Sequence, residues 1–398
     1  MLLSLALILT VAIIFSGIFN RLSLPGLLGM ILTGVLLGPY VLNWISSDIL
    51  DISSDIREIA LVVILIRAGL SLDLRDLKKV GRPAILMCFI PATLEIAAIT
   101  LLAPVLFGIS YIEAAIMGTV IAAVSPAVVV PRMINFMNKR WGTNKQIPQL
   151  IMAGASVDDI YVIVLFTIFL GMYQGSGFNT GALLGVPVSI VSGLLLGIAL
   201  GFLCVWFFKK FHIRDTLKIL IILSLSFFMI AAEDALKGIV PVSGLLGVMS
   251  LAGTILERRG EVAQRLVHRF SKIWVLSEIL LFVLVGAAVD IRTLSDAGLT
   301  AVLLIFGALV LRIAGVYLSL IKTNLNTKEK FFCALSYTPK ATVQAAIGAI
   351  PLTAGVASGN TILTVAVLAI MITAPLGAIS MDRLHKNLLV HETADSQQ

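Results

Sequence analysis

Two adjacent carboxylates lie deep inside an apolar stretch of the sequence. Asp158 and Asp159 stand about 11 residues into a segment at 147–173, which places both near the middle of a membrane. An ionisable side chain at that depth is costly and therefore indicates a function. Neighbouring helical residues diverge by about 100°, so the two carboxylates cannot share one proton, but both can border one cavity.

The neighbouring polar atoms predict which ligand this cavity takes. Ser156, three residues before Asp159, adds a hydroxyl on the same helix face. Carboxylate and hydroxyl oxygens suit a hard cation such as Na+ or Li+, and no cofactor is expected. Because a bare buried charge is costly, Asp158 and Asp159 would each favour a bound proton or a bound cation, which is competition enough for antiport. A structural salt bridge is the alternative, but no Lys or Arg lies three or four residues from either aspartate.

Two further segments contain a proline beside a hydroxyl residue in mid-span. Ser125-Pro126 lies in the segment at 112–135, and Thr338-Pro339-Lys340 lies in the segment at 330–351. Proline removes a helical hydrogen bond, and carbonyls freed inside a membrane need partners. We expect two broken helices that cross, with Ser125 and Thr338 as polar ligands of the ion site and Lys340 offsetting the charge of a half-helix C-terminus. Simple proline kinks are the alternative.

Glu95 and Arg312 form a predicted buried ion pair. Both are in mid-span and are 217 residues apart, the offset that also relates Asp73 to Asp290. Arg312 keeps its proton at any relevant pH, so it cannot carry protons. If Glu95 holds Arg312, both aspartates remain free for ions, whereas if Asp158 holds it, only Asp159 titrates.

Composition sets the class of protein that contains these residues. Of the 398 residues, 59% are hydrophobic and 13% are charged, and the mean hydropathy is +1.05, which excludes a soluble enzyme. The fold class is an all-α polytopic membrane protein with 13 transmembrane helices. The segments are at 2–19, 23–43, 56–72, 83–107, 112–135, 147–173, 181–208, 215–232, 239–256, 272–290, 298–321, 330–351 and 359–381.

The charge pattern predicts orientation rather than nucleic-acid binding. The net charge is +7, but Lys and Arg concentrate in alternate short loops, while the intervening loops hold only Arg57, Lys237 and Arg292. The positive-inside rule then places the N-terminus outside and the C-terminus in the cytoplasm. We expect a bacterial inner-membrane protein, since the sequence shows no long tail or soluble domain. The basic run from Arg258 to Lys272 could bind anionic lipid, although such a run is more often a solvated loop.

The near-constant offset indicates an internal repeat. Gly26-Leu27-Leu28-Gly29 recurs as Gly244-Leu245-Leu246-Gly247, and Ser125-Pro126 corresponds to Thr338-Pro339. Segments seven apart point in opposite directions, so we expect two inverted six-helix repeats joined by the segment at 181–208.

Three motifs together resemble the monovalent cation/proton antiporter superfamily, most closely its NHA-type sodium/proton exchangers and their bacterial homologues. They begin at Val124, Gly154 and Thr338 and read VSPAVVVP, GASVDDI and TPKATVQA. The resemblance implies an NhaA/NapA-like fold and a homodimer, with Asp159 as main sodium ligand and Asp158 as its neighbour. Electrogenic bacterial relatives carry a lysine where Arg312 stands, which leaves the stoichiometry open.

The resemblance also implies a division into domains, with a core that moves as an elevator against a dimerisation domain. The dimerisation domain is expected at 1–80 and 213–297, the core ion-transport domain at 81–178 and 298–384, a linker helix at 179–212, and a cytoplasmic tail at 385–398. A K+/H+ antiporter of the Kef-like kind is the nearest alternative. A channel would need a filter sequence, and an intramembrane aspartyl protease would need its aspartates on different helices.

Overall fold

The computed structural model describes residues 1–71, 81–175, 180–211, 213–236 and 242–392 of the chain. Within these ranges it describes only the backbone of Ser156, residues 180–187, Asp234 and residues 291–297.

The described chain is built from α-helices, and its one β feature is an isolated bridge between Trp141 and His391. The helices are α1 (Leu2–Arg21), α2 (Gly26–Leu37), α3 (Ser47–Asp51), α4 (Ser53–Ser71), α5 (Arg82–Phe107), α6 (Tyr111–Ala122), α7 (Pro126–Asn138), α8 (Ile147–Gln174), α9 (Thr180–Lys210), α10 (Asp215–Ala235), α11 (Gly244–Arg258), α12 (Gly260–Ala287), α13 (Ile291–Ser319), α14 (Thr327–Ser336), α15 (Thr342–Ile347), α16 (Ile350–Thr353) and α17 (Gly359–Leu388).

Within the described residues, 9 stretches are long and apolar enough to cross a membrane. They are α1, α5, α6 with α7, α8, Val188–Lys210 of α9, Asp215–Glu233 of α10, α12, Gly298–Ser319 of α13, and α17. The protein is therefore a multi-pass helical membrane protein. The segments at 23–43, 56–72, 239–256 and 330–351 fall on shorter or more charged helices, so the number thirteen stays a prediction.

The chain divides into two compact units. The first contains Met1–Ser54, Leu74–Phe166 and Phe282–Gln398, and the second contains Asp55–Asp73 and Thr167–Leu281. Every candidate site residue lies in the first unit.

In the second unit, glycines let α9 and α11 approach closely. A Cβ atom at Gly193 would meet the backbone of Ser243, and one at Gly197 would meet the backbone of Gly247. Small residues at such an interface bring two helix backbones within van der Waals contact, which is how helices associate without a hydrophobic driving force.

In the first unit, α5 and α13 pack against each other at a glycine. A Cβ atom at Gly315 would lie 2.7 Å from Cα of Pro91, so a larger residue would force the helices apart. Glu95 stands one turn after Pro91, and Arg312 stands one turn before Gly315. The close approach therefore brings the two charged side chains to the same place.

Both segments predicted to be interrupted are interrupted. Helix α6 ends at Ala122 and α7 begins at Pro126, which occupies the first helical position, where proline needs no hydrogen-bond partner. Helix α14 ends at Ser336 and α15 begins at Thr342. The backbone N–H of Ser125 donates to the carbonyl of Pro339 at 2.8 Å, which joins the two breaks directly.

The two interrupted segments share a local plan 216 residues apart. Ser110 and Glu113 form a capping box at the start of α6, and Asn326 and Glu329 form one at the start of α14. The prolines do not follow this offset, because Pro339 lies inside its break rather than at the start of the following helix. Pro126 and Pro339, which were matched in the sequence, are therefore not structurally equivalent. The position equivalent to Pro126 lies a few residues after Pro339.

Candidate functional site

Asp158 lies in the middle of α8 and is held by two donors. Its Oδ2 atom accepts from Nη2 of Arg312 at 3.0 Å and from the backbone N–H of Val124 at 2.8 Å. The Val124 N–H is available because the chain is extended in the break after α6. The side chain is 0% exposed, so both donors act in a desolvated environment.

Asp159, the next residue, has a different environment. Its side chain is 8% exposed, and its Oδ1 atom has no hydrogen-bond partner in the described part of the chain. No ion pair to Asp159 is present within those residues either. A buried carboxylate without a partner is stable only with a bound proton or a bound cation.

Arg312 connects the two halves of the site. Its Nη1 atom donates to Oε2 of Glu95 at 2.6 Å and also to the carbonyl of Ala122, while its Nε donates to the carbonyl of Tyr337 at 2.5 Å. With the bond to Asp158, all three nitrogen atoms of the guanidinium donate hydrogen bonds. The two alternatives for Arg312 therefore occur together, since both Glu95 and Asp158 hold it.

Lys340 lies in the second break, and its side chain contacts the residue that precedes the first break. Its Nζ atom donates to Oε2 of Glu95 at 2.6 Å and to the carbonyl of Ala122 at 3.0 Å. Ala122 is the last residue of α6, so the ammonium group meets the negative end of that half-helix, where a cation is favoured. The backbone N–H of Lys340 donates to the hydroxyl of Thr373 at 2.9 Å.

The buried charges of this cluster balance in all but one place. Arg312 and Lys340 carry two positive charges, and Glu95 and Asp158 carry two negative charges. Asp159 is left over from this balance. It is therefore the group whose charge state can change without leaving a neighbour unpaired.

Gln344 is a site residue that the search for ionisable groups missed. Its Nε2 atom donates to the carbonyls of Ile121 at 2.9 Å and Ala123 at 2.8 Å. These carbonyls are freed by the end of α6, so Gln344 completes the cap begun by Arg312 and Lys340. The signal available in the sequence was an amide four residues after Lys340, inside an apolar segment.

The hydroxyl residues of the two breaks lie near each other. Ser125 is buried, and its Oγ atom is 3.5 Å from Oγ1 of Thr342. Thr338 turns its hydroxyl to the carbonyl of Leu335 at 2.9 Å, at the end of its own helix. The backbone of Ser156 lies in α8, and its side chain is outside the described part of the structure.

In the second unit, an aspartate forms ion pairs with part of the basic run that was predicted to bind lipid. Oδ2 of Asp215 lies 3.2 Å from Nε of Arg265 and 3.9 Å from Nε of Arg269, and its Oδ1 lies 2.9 Å from Nζ of Lys218. Those two arginines thus have a protein partner, while about half of each side chain stays exposed.

The comparisons with known proteins cover nearly the whole chain. The sequence model of a family described as "Sodium/hydrogen exchanger, transmembrane" matches residues 6–386. Sodium/hydrogen exchanger 9B2 of Homo sapiens is 34% identical over 398 residues, which covers 94% of this chain and 72% of that protein. Sodium/hydrogen exchanger 9B1 of Homo sapiens is 34% identical over 383 residues, with 92% and 73% covered.

A solved structure shares the fold. The sodium proton antiporter MjNhaP1 from Methanocaldococcus jannaschii superposes with a TM-score of 0.81 over 96% of this chain and 97% of that one. The sequence identity is 21%, so this likeness concerns the fold alone.

Proposed function

Because the chain belongs to the sodium/hydrogen exchanger family, we propose that it exchanges Na+ or Li+ for H+ across a membrane, with Asp159 as the carboxylate that carries either ion. One observation supports this assignment above the others. Asp159 is a buried carboxylate outside the balanced cluster of Glu95, Asp158, Arg312 and Lys340. A proton and a cation then compete for the same oxygen atoms, which is the condition for obligatory exchange.

The cation is held by oxygen atoms from several elements. Oδ1 of Asp158 and Oδ1 of Asp159 are both buried and without a hydrogen-bond partner among the described residues. Together with the hydroxyls of Ser125 and Thr338 they are the ligand set that we propose for a hard monovalent ion. Ser156, a further ligand expected from the sequence, has its side chain outside the described part of the structure. Pro126 and Pro339 interrupt the two helices, which leaves room and free backbone groups at the crossing.

The charge balance also supports a stoichiometry. Arg312 does not release its proton, and it holds Asp158 as a carboxylate. Asp159 is then the group that takes up and releases protons, so one proton exchanges for one Na+. Transport with this ratio moves no net charge.

Several features of the wider assembly belong to the same proposal. These are 13 membrane spans in two inverted repeats, a homodimer, and elevator motion of the core domain at 81–178 and 298–384 against the dimerisation domain at 1–80 and 213–297. The matching capping boxes and paired breaks, 216 residues apart, support the repeat. The linker at 179–212, the inner-membrane location, the cytoplasmic tail at 385–398 and anionic lipid at the basic loops complete the proposal.

Exchange in proteoliposomes tests the function. Vesicles with an acidic lumen and an internal pH dye receive Na+, Li+ or K+ outside, with the wild type, Asp159→Asn, and Asp51→Asn as an exposed control of the same chemistry. We expect Na+ and Li+ to make the lumen alkaline with the wild type and with Asp51→Asn, and Asp159→Asn to show no response. A response to K+ alone would assign the protein to the Kef-like alternative, which no comparison supports. Equal responses from both aspartate variants would remove Asp159 from the mechanism.

A further inference from the structure

We infer that Gln344 is a positioning residue of the ion site, which acts through a single peptide group to hold Asp158 in place. The inference rests on the proposed exchange function and deepens it. Gln344 touches neither aspartate directly, so its effect must pass through the backbone of the first break.

The orientation of the Gln344 amide follows from its partners. The side chain is 0% exposed on the first turn of α15, and one atom, Nε2, lies within 2.9 Å of two carbonyl oxygens, those of Ile121 and Ala123. Carbonyl oxygens only accept, so the NH2 side of the amide faces them and not the oxygen side. Both donors of Gln344 are therefore committed to the end of α6.

One of these carbonyls belongs to the peptide group that contacts Asp158. The oxygen of Ala123 accepts from Gln344 at 2.8 Å, and the N–H of Val124, at the other side of the same peptide bond, donates to Oδ2 of Asp158 at 2.8 Å. A trans peptide is planar, so fixing its oxygen also fixes the direction of its N–H. Gln344, this peptide and Asp158 thus form one hydrogen-bonded series.

The break explains why this peptide needs an external restraint. Ala123 is extended, with φ −63° and ψ 139°, so the peptide that follows it is outside the hydrogen-bond ladder of α6. Without Gln344, the peptide can rotate, and its N–H then no longer points at Oδ2 of Asp158. Asp158 then keeps Arg312 but loses its second donor, and its Oδ1 atom leaves the position from which it helps to bind the cation.

Two variants of equal side-chain length test the inference in proteoliposomes. Gln344→Met removes both donors. Gln344→Glu removes both when charged, but its protonated form supplies one O–H donor. Gln149→Met is the matched control, because it makes the same substitution near the start of α8, well before the aspartates.

We expect Gln344→Met to raise the apparent KM for Na+ about tenfold at every pH, the factor that corresponds to one lost hydrogen bond to a charged group, with a smaller change in kcat. Gln344→Glu should be at least as impaired as Gln344→Met at alkaline pH, because its carboxylate is repelled by the two carbonyl oxygens, and should recover towards the wild type at acid pH. Gln149→Met should keep the wild-type KM.

Two results would overturn the inference. One is a wild-type KM in Gln344→Met, and the other is a Gln344→Glu profile that runs parallel to that of Gln344→Met at every pH. Failure of the proposed function is distinguishable from both, because it appears as an absence of exchange in the wild type.

Discussion

The two interrupted segments have the same backbone plan but opposite chemistry. Each begins with a capping box, α6 at Ser110 and α14 at Asn326, and each breaks after ten or more residues of helix. The first half of the chain supplies the buried acids Glu95, Asp158 and Asp159. The second half supplies the donors Arg312, Lys340 and Gln344, all of which contact the end of α6.

This difference indicates how the proposed repeat would make an asymmetric site. Glu95 and Arg312 occupy equivalent positions 217 residues apart and pair with each other. At the same offset, Asp158 corresponds to Pro375 inside α17, which carries no charge. In the proposed repeat, equivalent positions bring Glu95 and Arg312 together, whereas differing side chains leave Asp159 without a counter-charge among the described residues.

The largest effect is expected from removing the central donor. Arg312→Met leaves Glu95 with Lys340 and leaves Asp158 buried without an ion-pair partner among the described residues, so we expect a loss of about 3–5 kcal/mol in stability. Lys340→Met should have a smaller effect, about 1–3 kcal/mol, because Arg312 still holds Glu95. Thermal unfolding of the purified variants measures both, with the exposed Arg383→Met as control. Equal melting temperatures for Arg312→Met and Arg383→Met would contradict the view that the second half of the chain stabilises the buried acids of the first half.

A smaller effect should appear where α8 meets the second break. A Cβ atom at Gly154 would overlap the hydroxyl of Tyr337, whose ring is fully buried. Gly154→Ala should therefore destabilise the protein by about 1–3 kcal/mol, by overpacking, and should also slow exchange.

The tyrosine supplies the control for this prediction. Its hydroxyl has no partner within the described residues, so Tyr337→Phe alone should be neutral or slightly stabilising. It should also restore stability to Gly154→Ala in the double variant. Additive effects of the two substitutions in thermal unfolding would show that they do not act through this contact.

The parts of the site that could be predicted from the sequence are those that follow from depth and charge. A carboxylate, an arginine or a proline in mid-membrane is conspicuous against an apolar background, so Asp158, Asp159, Glu95 and Arg312 could be identified. The mid-span prolines Pro126 and Pro339, each beside a hydroxyl residue, likewise indicated the breaks.

The remaining contacts depend on how the two breaks are placed against each other in three dimensions. Matching Pro126 with Pro339 suggested one alignment of the two halves. The helices that follow the breaks begin at Pro126 and at Thr342, which differs from that alignment by a few residues. Whether Arg312 binds Glu95 or Asp158 could not be decided, because the guanidinium reaches both. Gln344 is uncharged, and its importance comes only from the carbonyls that the break sets free.

The number of protons released per bound Na+ tests the central claim most directly. Calorimetric titration of the purified protein with NaCl, in buffers of different ionisation enthalpy, measures this number, with Asp159→Asn beside the wild type. If Asp159 alone exchanges while Arg312 holds Asp158, the wild type releases about one proton per Na+ and Asp159→Asn neither binds Na+ nor releases protons. Release of two protons per Na+, or proton release that persists in Asp159→Asn, would contradict the account.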